Sequence, residues 1–534
     1  MPLWTNDGIE IHSTVSEFRN NSFSNFTAIW IYSSNNKIEG NSFTGFKNHG
    51  IGFMAGSNNN KIIGNYFGHA AMMNRQIIGI KFFPGTNNEE IAYNTIEWVP
   101  ESITITEMPP STPNNGFFFH DNTIRNTLQA AIVRGNHILF LNEHYSDIYA
   151  IGISVAGYYN VTIENSSFTN LAFQEELNDQ INQDYFEEGT TRQLIPSIEW
   201  YMFVFYTTKS FIRPGGYGNL LVLRNNYFAD TPPYGNAVVF DGGPHNNFRV
   251  YDNTFENIGN YIPNGFTVRR DYTERVNLSG RSDIPGAAIS LELIKKAEII
   301  GNTFNNVVNG ILTSTPDTVG TYGDYEIRDN IFRGLGGYTW QELYSSRGNE
   351  TWWDTPTTRT EGGIGVGTGT HGWLINGIDW GCTDESYWHY TYLVYIADST
   401  QRIQQNTFSN FKYPVVIDYS RLTPCEQNVL GPKHAIITGN NFYNYTRFDL
   451  LEGVPSTIEV HDNGLYSCTD GTQEGTCSTS KPLFCREGSL INACSTCGCP
   501  LNYTCNANGV CLTSSPTTKP PTGKPRTEMD IQLN

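Results

Sequence analysis

The chain has 534 residues, 13% of them aromatic, with 33 Lys and Arg against 52 Asp and Glu and a formal net charge of −19. That balance excludes a nucleic-acid partner, which needs a basic face, and speaks against anionic membrane surfaces. No apolar run approaches the roughly 18–20 residues of a membrane span, and the length suits one elongated repeat domain with appendages as well as several globular ones.

Met1-Pro2-Leu3-Trp4 leads almost directly into the strand-like Gly8-Ile9-Glu10-Ile11, without the charged and apolar regions of a signal peptide. Nothing at this end reads as the polar cap that closes a solenoid, so upstream sequence or another molecule is expected to cover it.

From here a six-residue phrase recurs, clearest in Ile299-Ile300-Gly301-Asn302-Thr303-Phe304. It reads apolar, any, any, Asn, any, Phe or Ile. The Asn recurs at 21, 41, 65, 94, 122, 226, 253, 302, 330, 406 and 440, and a further copy, Ile163 to Phe168, has Ser166 in its place. Repeats about 20–30 residues apart, stretched by insertions, mark a solenoid, and the alternation around the Asn is that of strand, bend and strand. The amide carries a donor and an acceptor, so stacked Asn side chains can bond along a column. Asn also tolerates the left-handed backbone of a tight bend, and the phrase places it there. After most copies a second strand is expected: Gly50 to Phe53, Ile78 to Ile80, Ala131 to Val133 and Ile151 to Ile153.

This pattern resembles the parallel β-helix repeat of the pectate-lyase-like superfamily over about residues 9–462. The resemblance implies an all-β fold, a right-handed parallel β-helix solenoid with loop insertions. It implies no single activity, because that superfamily holds lyases, hydrolases, epimerases, tailspikes and adhesins.

Residues 1–462 are therefore read as the β-helix, with insertions near 173–218, 262–285 and 334–400. The first begins acidic, where Phe173 to Tyr185 suits a short helix, and ends aromatic. The second carries Arg269, Arg270, Arg275 and Arg281, the basic concentration of the coil region. The third holds six of the ten tryptophans, Trp340, Trp352, Trp353, Trp373, Trp380 and Trp388. Its Gly362 to Gly367 run lacks the strand-turn-helix setting of a nucleotide loop and reads as a coil strand. Cys382 and Cys425 are the natural pair to pin this insertion to the coil.

Residues 463–511 change character. Cys468, Cys477, Cys485, Cys494, Cys497, Cys499, Cys505 and Cys511 crowd a segment too short for a large core, so four bridges are expected; eight cysteines allow 105 pairings. The run from Cys497 to Cys511 resembles small cysteine-rich modules of archaeal surface proteins and, more loosely, an EGF-like end. Disulfides imply an oxidising compartment, so the chain is expected to be a mature form or fragment of an extracellular or cell-surface protein. Cys494-x-x-Cys497 has no partner His for a zinc site. Sequons stand at Asn20, Asn25, Asn160, Asn165, Asn277, Asn349, Asn444 and Asn502. Residues 512–534 are a Pro/Thr-rich linker and a strand-like tail in which Met529, Ile531 and Leu533 alternate.

Two functions fit. The favoured one is a structural or adhesive surface glycoprotein that self-assembles head to tail or through its tail, with the tryptophans as partner or glycan contacts. The alternative is a polysaccharide lyase or glycoside hydrolase, and whether the protein is an enzyme is left open, leaning against. A lyase needs a base and a cation or Arg to neutralise a uronate; a hydrolase needs two carboxylates. The weak catalytic candidates are Arg269, Arg270, Asp241 and His245. Asp121, Asp252, Asp329 and Asp462 beside the phrase are read as bend residues. No cofactor or metal site is expected, except Ca2+ if the protein is a lyase. The histidines lack metal-ligand spacing, and His69, His371 and His389 read as surface or loop residues.

Overall fold

A computed structural model describes residues 9–13, 16–71, 77–106, 114–171, 210–231, 235–240 and 245–259, and 287–334 except 292, 293, 308 and 315–323. It further describes residues 362–367, 401–409, 413–418, 435–443, 449–450, 458–465, 472, 476–486, 489–501, 503–506 and 510–513. The chain divides into two compact units, Met1–Leu465 and Tyr466–Asn534.

The first unit is a parallel β-helix. Each coil contributes to three parallel sheets. One runs through Glu17–Arg19, Lys37–Glu39 and Lys61–Ile63, the next through Ser22–Ser24, Ser42–Thr44 and Tyr66–Gly68, the third through Ile29–Ile31, His49–Phe53 and Ile78–Phe82. The strands expected at 50–53, 78–80, 131–133 and 151–153 all belong to this third sheet. Gly362–Gly367 is a coil strand between Asn309–Ser314 and Tyr413–Asp418.

The phrase forms a hydrogen-bonded column. Its rungs are residues 21, 41, 65, 94, 122, 143, 166, 226, 253, 302, 330, 406, 440 and 463. At Asn302 the backbone N–H donates to Asn330 Oδ1 at 2.8 Å, and the side-chain Nδ2 donates to the same oxygen at 3.0 Å. Its second amide hydrogen goes to Val250 O at 2.9 Å. The same pattern recurs from Asn41 to Asn440 wherever both rungs are Asn. Each buried amide is thus satisfied by the coils on either side, as a buried polar group must be.

The Asn does not itself take the left-handed conformation. The residue before it does: Asn20, Asp121, Asn142, Asn165, Asn225, Asp252, Asp329 and Asp462 have φ between 52° and 57°, and Gly40, Gly64, Gly301 and Gly439 have φ between 64° and 71°. The bend precedes the Asn so that the amide can turn inward and meet the column. The bend is therefore one position earlier than the sequence reading placed it, mostly on residues that tolerate positive φ, with Tyr93 and Gln405 at φ 55° and 56° as the two exceptions.

Two coils escape the phrase. Phe140, Glu143 and Tyr145 form one, with Glu143 as the rung; Val460, Asn463 and Leu465 form the other. The coil therefore runs just past residue 462. The first insertion is also shorter than 173–218, because Ser210–Arg224 is a coil strand paired with His144–Glu164.

Inside, the residues two after the rung stack ring on ring. Centroids lie 5.1 Å apart for Phe228–Phe255, 4.8 Å for Phe255–Phe304, 4.4 Å for Phe304–Phe332 and 4.8 Å for Phe332–Phe408. That is the strand spacing, about 4.8 Å, so the sheet sets the stacking distance. Ile38, Ile62, Ile91 and their successors make a second column; Ile29, Ile51, Ile80 and Ile103 make a third. Burying each such side chain contributes about 1.5–3 kcal/mol.

The second unit is held differently. Leu483–Arg486 pairs antiparallel with Ser489–Asn492, Tyr503–Cys505 with Cys511–Thr513, and a one-turn helix spans Cys494–Cys497. Bridges join Cys477 to Cys497, Cys494 to Cys505 and Cys499 to Cys511, and Cys485 is also disulfide-bonded. Cys494 and Cys497 thus sit in separate bridges, so this CxxC is no redox pair. The sulfurs of Cys494, Cys499 and Cys505 lie close together but are all consumed by bridges, which removes them as metal ligands.

Candidate functional site

Most residues singled out as functional lie outside the described residues. These are Arg269, Arg270, Arg275, Arg281, Asp241, His371 and His389, the six tryptophans, Cys382, Cys425, Cys468, and the sequons Asn277, Asn349, Asn444 and Asn502. The acidic stretch Phe173 to Tyr185 lies there too.

His245 is placed, and it is fully buried. Its Nδ1 lies 3.1 Å from the Tyr158 hydroxyl, its ring stacks on Tyr158, and Phe240 meets it edge-on at 4.8 Å. Among the described residues it packs inside the coil. Asp121, Asp252, Asp329 and Asp462 occupy the left-handed corners, as bend residues should. His69 is an exposed left-handed corner residue as well. Among the sequons, Asn20, Asn25 and Asn165 stand exposed at such corners, and Asn160 is half-buried on a strand.

The described residues do assemble one chemically distinctive face. It lies on the outer side of the third sheet, where residues alternate with the core columns and so point away from the coil interior. Register places Trp30 beside Gly52, Gly52 beside Lys81 and Lys81 beside Thr104. The glycine is required: a Cβ at position 52 would fall 2.4 Å from Trp30 Cζ3, so the indole lies across the space it leaves. His49 meets the indole at 5.0 Å between centroids and Phe83 at 5.9 Å. The Lys81 ammonium sits 4.8 Å from the Phe83 centroid, a cation–π contact.

Glu101 completes the face. It is buried, occupies the same register column as His49, and accepts a hydrogen bond from Thr104 Oγ1 at 3.3 Å. Burial lowers the Lys81 pKa, while the Glu101 carboxylate works against that shift. His49 is only 2% exposed, and both ring nitrogens lack a hydrogen-bond partner. Burial, reinforced by the Lys81 charge, pushes its pKa down to about 3, so the imidazole is neutral. The result is an aromatic plate beside an ammonium, with the carboxylate and the neutral imidazole buried behind it. An aromatic plate beside a cation has the chemistry to stack on the C–H face of a sugar ring, with Lys81 as the polar group at its edge.

This face was not found from the sequence. Trp30 and Lys81 stand far apart in the chain, and only alignment of the coils on their Asn rungs brings them together. The usable signal was Gly52, a glycine in mid-strand at the position following a tryptophan one coil earlier.

No protein-family model matches the chain, and no curated protein matches it in sequence. Among solved structures it is similar to PfbA, a surface adhesin of Streptococcus pneumoniae, at 11% identity and a TM-score of 0.36, over 62% of this chain and 82% of that one. It is similar to a PL6 alginate lyase complexed with a trisaccharide at 12% identity and a TM-score of 0.40, over 90% of this chain and 85% of that one. A third is the catalytic domain of a GH87 alpha-1,3-glucanase in complex with tetrasaccharides, at 10% identity and a TM-score of 0.30, over 86% of this chain and 64% of that one. Likeness at this level assigns no activity to this chain.

Proposed function

We propose that this is an extracellular structural or adhesive surface protein, in which a rigid coil presents a glycan-contact face and copies of the chain associate. The observation that carries the reading is the Trp30, His49, Lys81, Phe83 and Glu101 face, built on an uninterrupted hydrogen-bonded column. A face on such a scaffold is pre-organised, so binding costs little ordering entropy. The disulfide module supports an oxidising, extracellular setting. Sequons at exposed corners are open to modification there, which fits a surface glycoprotein.

The test is a binding titration of the intact protein against neutral and uronate-containing polysaccharides, alongside Trp30→Ala and Lys81→Met. The reading expects saturable binding that Trp30→Ala weakens at least tenfold with the circular-dichroism spectrum unchanged. Equal binding by the variants would remove the face from the account. Cleavage of a polymer, abolished by Lys81→Met, would instead favour the lyase alternative, with the lowered Lys81 as base.

A further inference from the structure

The cysteine-rich unit carries an unfinished sheet. Tyr503–Cys505 and Cys511–Thr513 form a two-stranded ribbon with no third strand among the described residues. A lone hairpin is marginal in water, and a third strand or a packed face is what normally stabilises one. Five of the eleven exposed large apolar side chains among the described residues lie in this small unit: Ile491, Leu501, Tyr503, Val510 and Leu512. Leu501 is 91% exposed and Leu512 52%. On one edge the Tyr503 N–H already donates to Pro500 O at 3.1 Å. The other edge, Cys511–Thr513, carries the exposed Leu512 and follows Val510 on the same face.

The same chain contains a segment of matching form. Glu528, Met529, Asp530, Ile531, Gln532 and Leu533 alternate polar and apolar without a Gly or Pro, the pattern of a strand with one apolar face. We propose that this tail, from a second copy of the chain, adds as a third strand to the Cys511–Thr513 edge and lays Met529, Ile531 and Leu533 against Val510 and Leu512. Backbone bonds supply affinity in such strand addition, and alternate side chains supply register.

Two features favour a second copy over the tail's own module. The linker, residues 514–526, contains Pro516, Pro520, Pro521 and Pro525. Extended as polyproline it reaches about 40 Å, against a diameter of about 25 Å for a unit of this size. It also carries Lys519, Lys524 and Arg526 and no acidic residue, in a chain of net charge −19. Two copies of so acidic a chain repel one another, and a basic arm at their contact offsets that repulsion.

The inference rests on the self-association part of the proposed function and is independent of glycan contact. The experiment compares the full chain with one ending at Thr513 by sedimentation velocity across a hundredfold concentration range. A labelled peptide of residues 522–534 is then titrated onto the trimmed chain. The expected result is concentration-dependent association of the full chain only, and saturable peptide binding lost when Met529, Ile531 and Leu533 become Ser. Equal association of the trimmed chain overturns the tail's role but leaves self-association standing. A full chain that stays monomeric while its trimmed form binds the peptide places the tail on its own module and overturns the second-copy assignment. No association and no peptide binding overturns both.

Discussion

The two units solve the same problem by opposite means. In the coil, every rung repeats the last, so one Asn bonds the coils on both sides and one Phe stacks on two others. Stability there is a sum over neighbours and grows with each coil. The cysteine-rich unit has no repeat to lean on. Cys485, Cys494 and Cys497 are its buried apolar residues among those described, and Ile491, Leu501, Val510 and Leu512 face solvent. Covalent bridges replace the core it cannot build. The contrast teaches that contact surface is cheap where the fold is held by something other than burial: the module exposes what the coil must hide.

Reduction should break that contrast most completely. With reductant, amide exchange across Leu483–Asn492 and Tyr503–Thr513 is expected to become unprotected, while Ala297–Asn305 stays protected. Protection that survives in the module would mean it has a core after all.

Within the coil, Phe304→Ala should cost about 3–5 kcal/mol in denaturant unfolding, because Phe304 is stacked on both sides and fully buried. Phe23→Ala should cost clearly less, since Phe23 lies at a partly exposed end coil and stacks on Phe43 alone in its column. Equal costs would deny the neighbour-sum picture. Asn302→Ala should cost about 2–4 kcal/mol, as it orphans donors on Asn253 and removes the donor to Val250 O. A cost near zero would mean water enters the column.

The most diagnostic effect is a dependence on pH. Glu143 stands where other rungs have Asn, fully buried, with Asn122 N–H and Nδ2 both donating to its Oε1 at 3.2 and 2.8 Å. Burial pushes its pKa from 4.5 up to about 8, with Asp121 adding to the rise and the hydrogen bonds from Asn122 opposing it. The folded state thus holds a proton that the unfolded state has lost. Stability contributed by this group is present below about 4.5 and declines as pH rises to about 8, by about 1.4 kcal/mol per pH unit. Glu143→Gln keeps an acceptor, supplies an amide donor and should flatten that slope. His49 acts in reverse, losing its contribution as pH falls from 6.5 to about 3. A Glu143→Gln protein with an unchanged pH profile would show that the carboxyl is not a neutral rung.

The coil architecture was legible because its signal is local: an apolar residue three before the Asn and a Phe or Ile two after. The coil at Glu143 hid because Glu does not read as Asn, although Phe140 and Tyr145 kept the spacing. The last coil is expected from its strand at Thr457 to Val460, but its rung Asn463 hid because Leu465 replaces Phe or Ile. The left-handed corner was visible too, in the Gly, Asn or Asp before every rung except Asn94 and Asn406, which follow Tyr93 and Gln405, but the bend was assigned to the wrong neighbour. The contact face was not legible, since it depends on register between residues more than twenty apart and on the gap at Gly52. His245 stood out in the sequence beside Asp241, and its burial against Tyr158 and Phe240 is visible only in the fold.

The central proposal is that the coil serves as a structural rod in an assembly. The fourteen rungs among the described residues, about 4.8 Å apart, span about 60 Å. Electron microscopy of the native protein over a range of concentrations tests this most directly. The account predicts rods of that length joined into regular larger assemblies, dispersed when the chain ends at Thr513. Single dispersed rods at every concentration would contradict it.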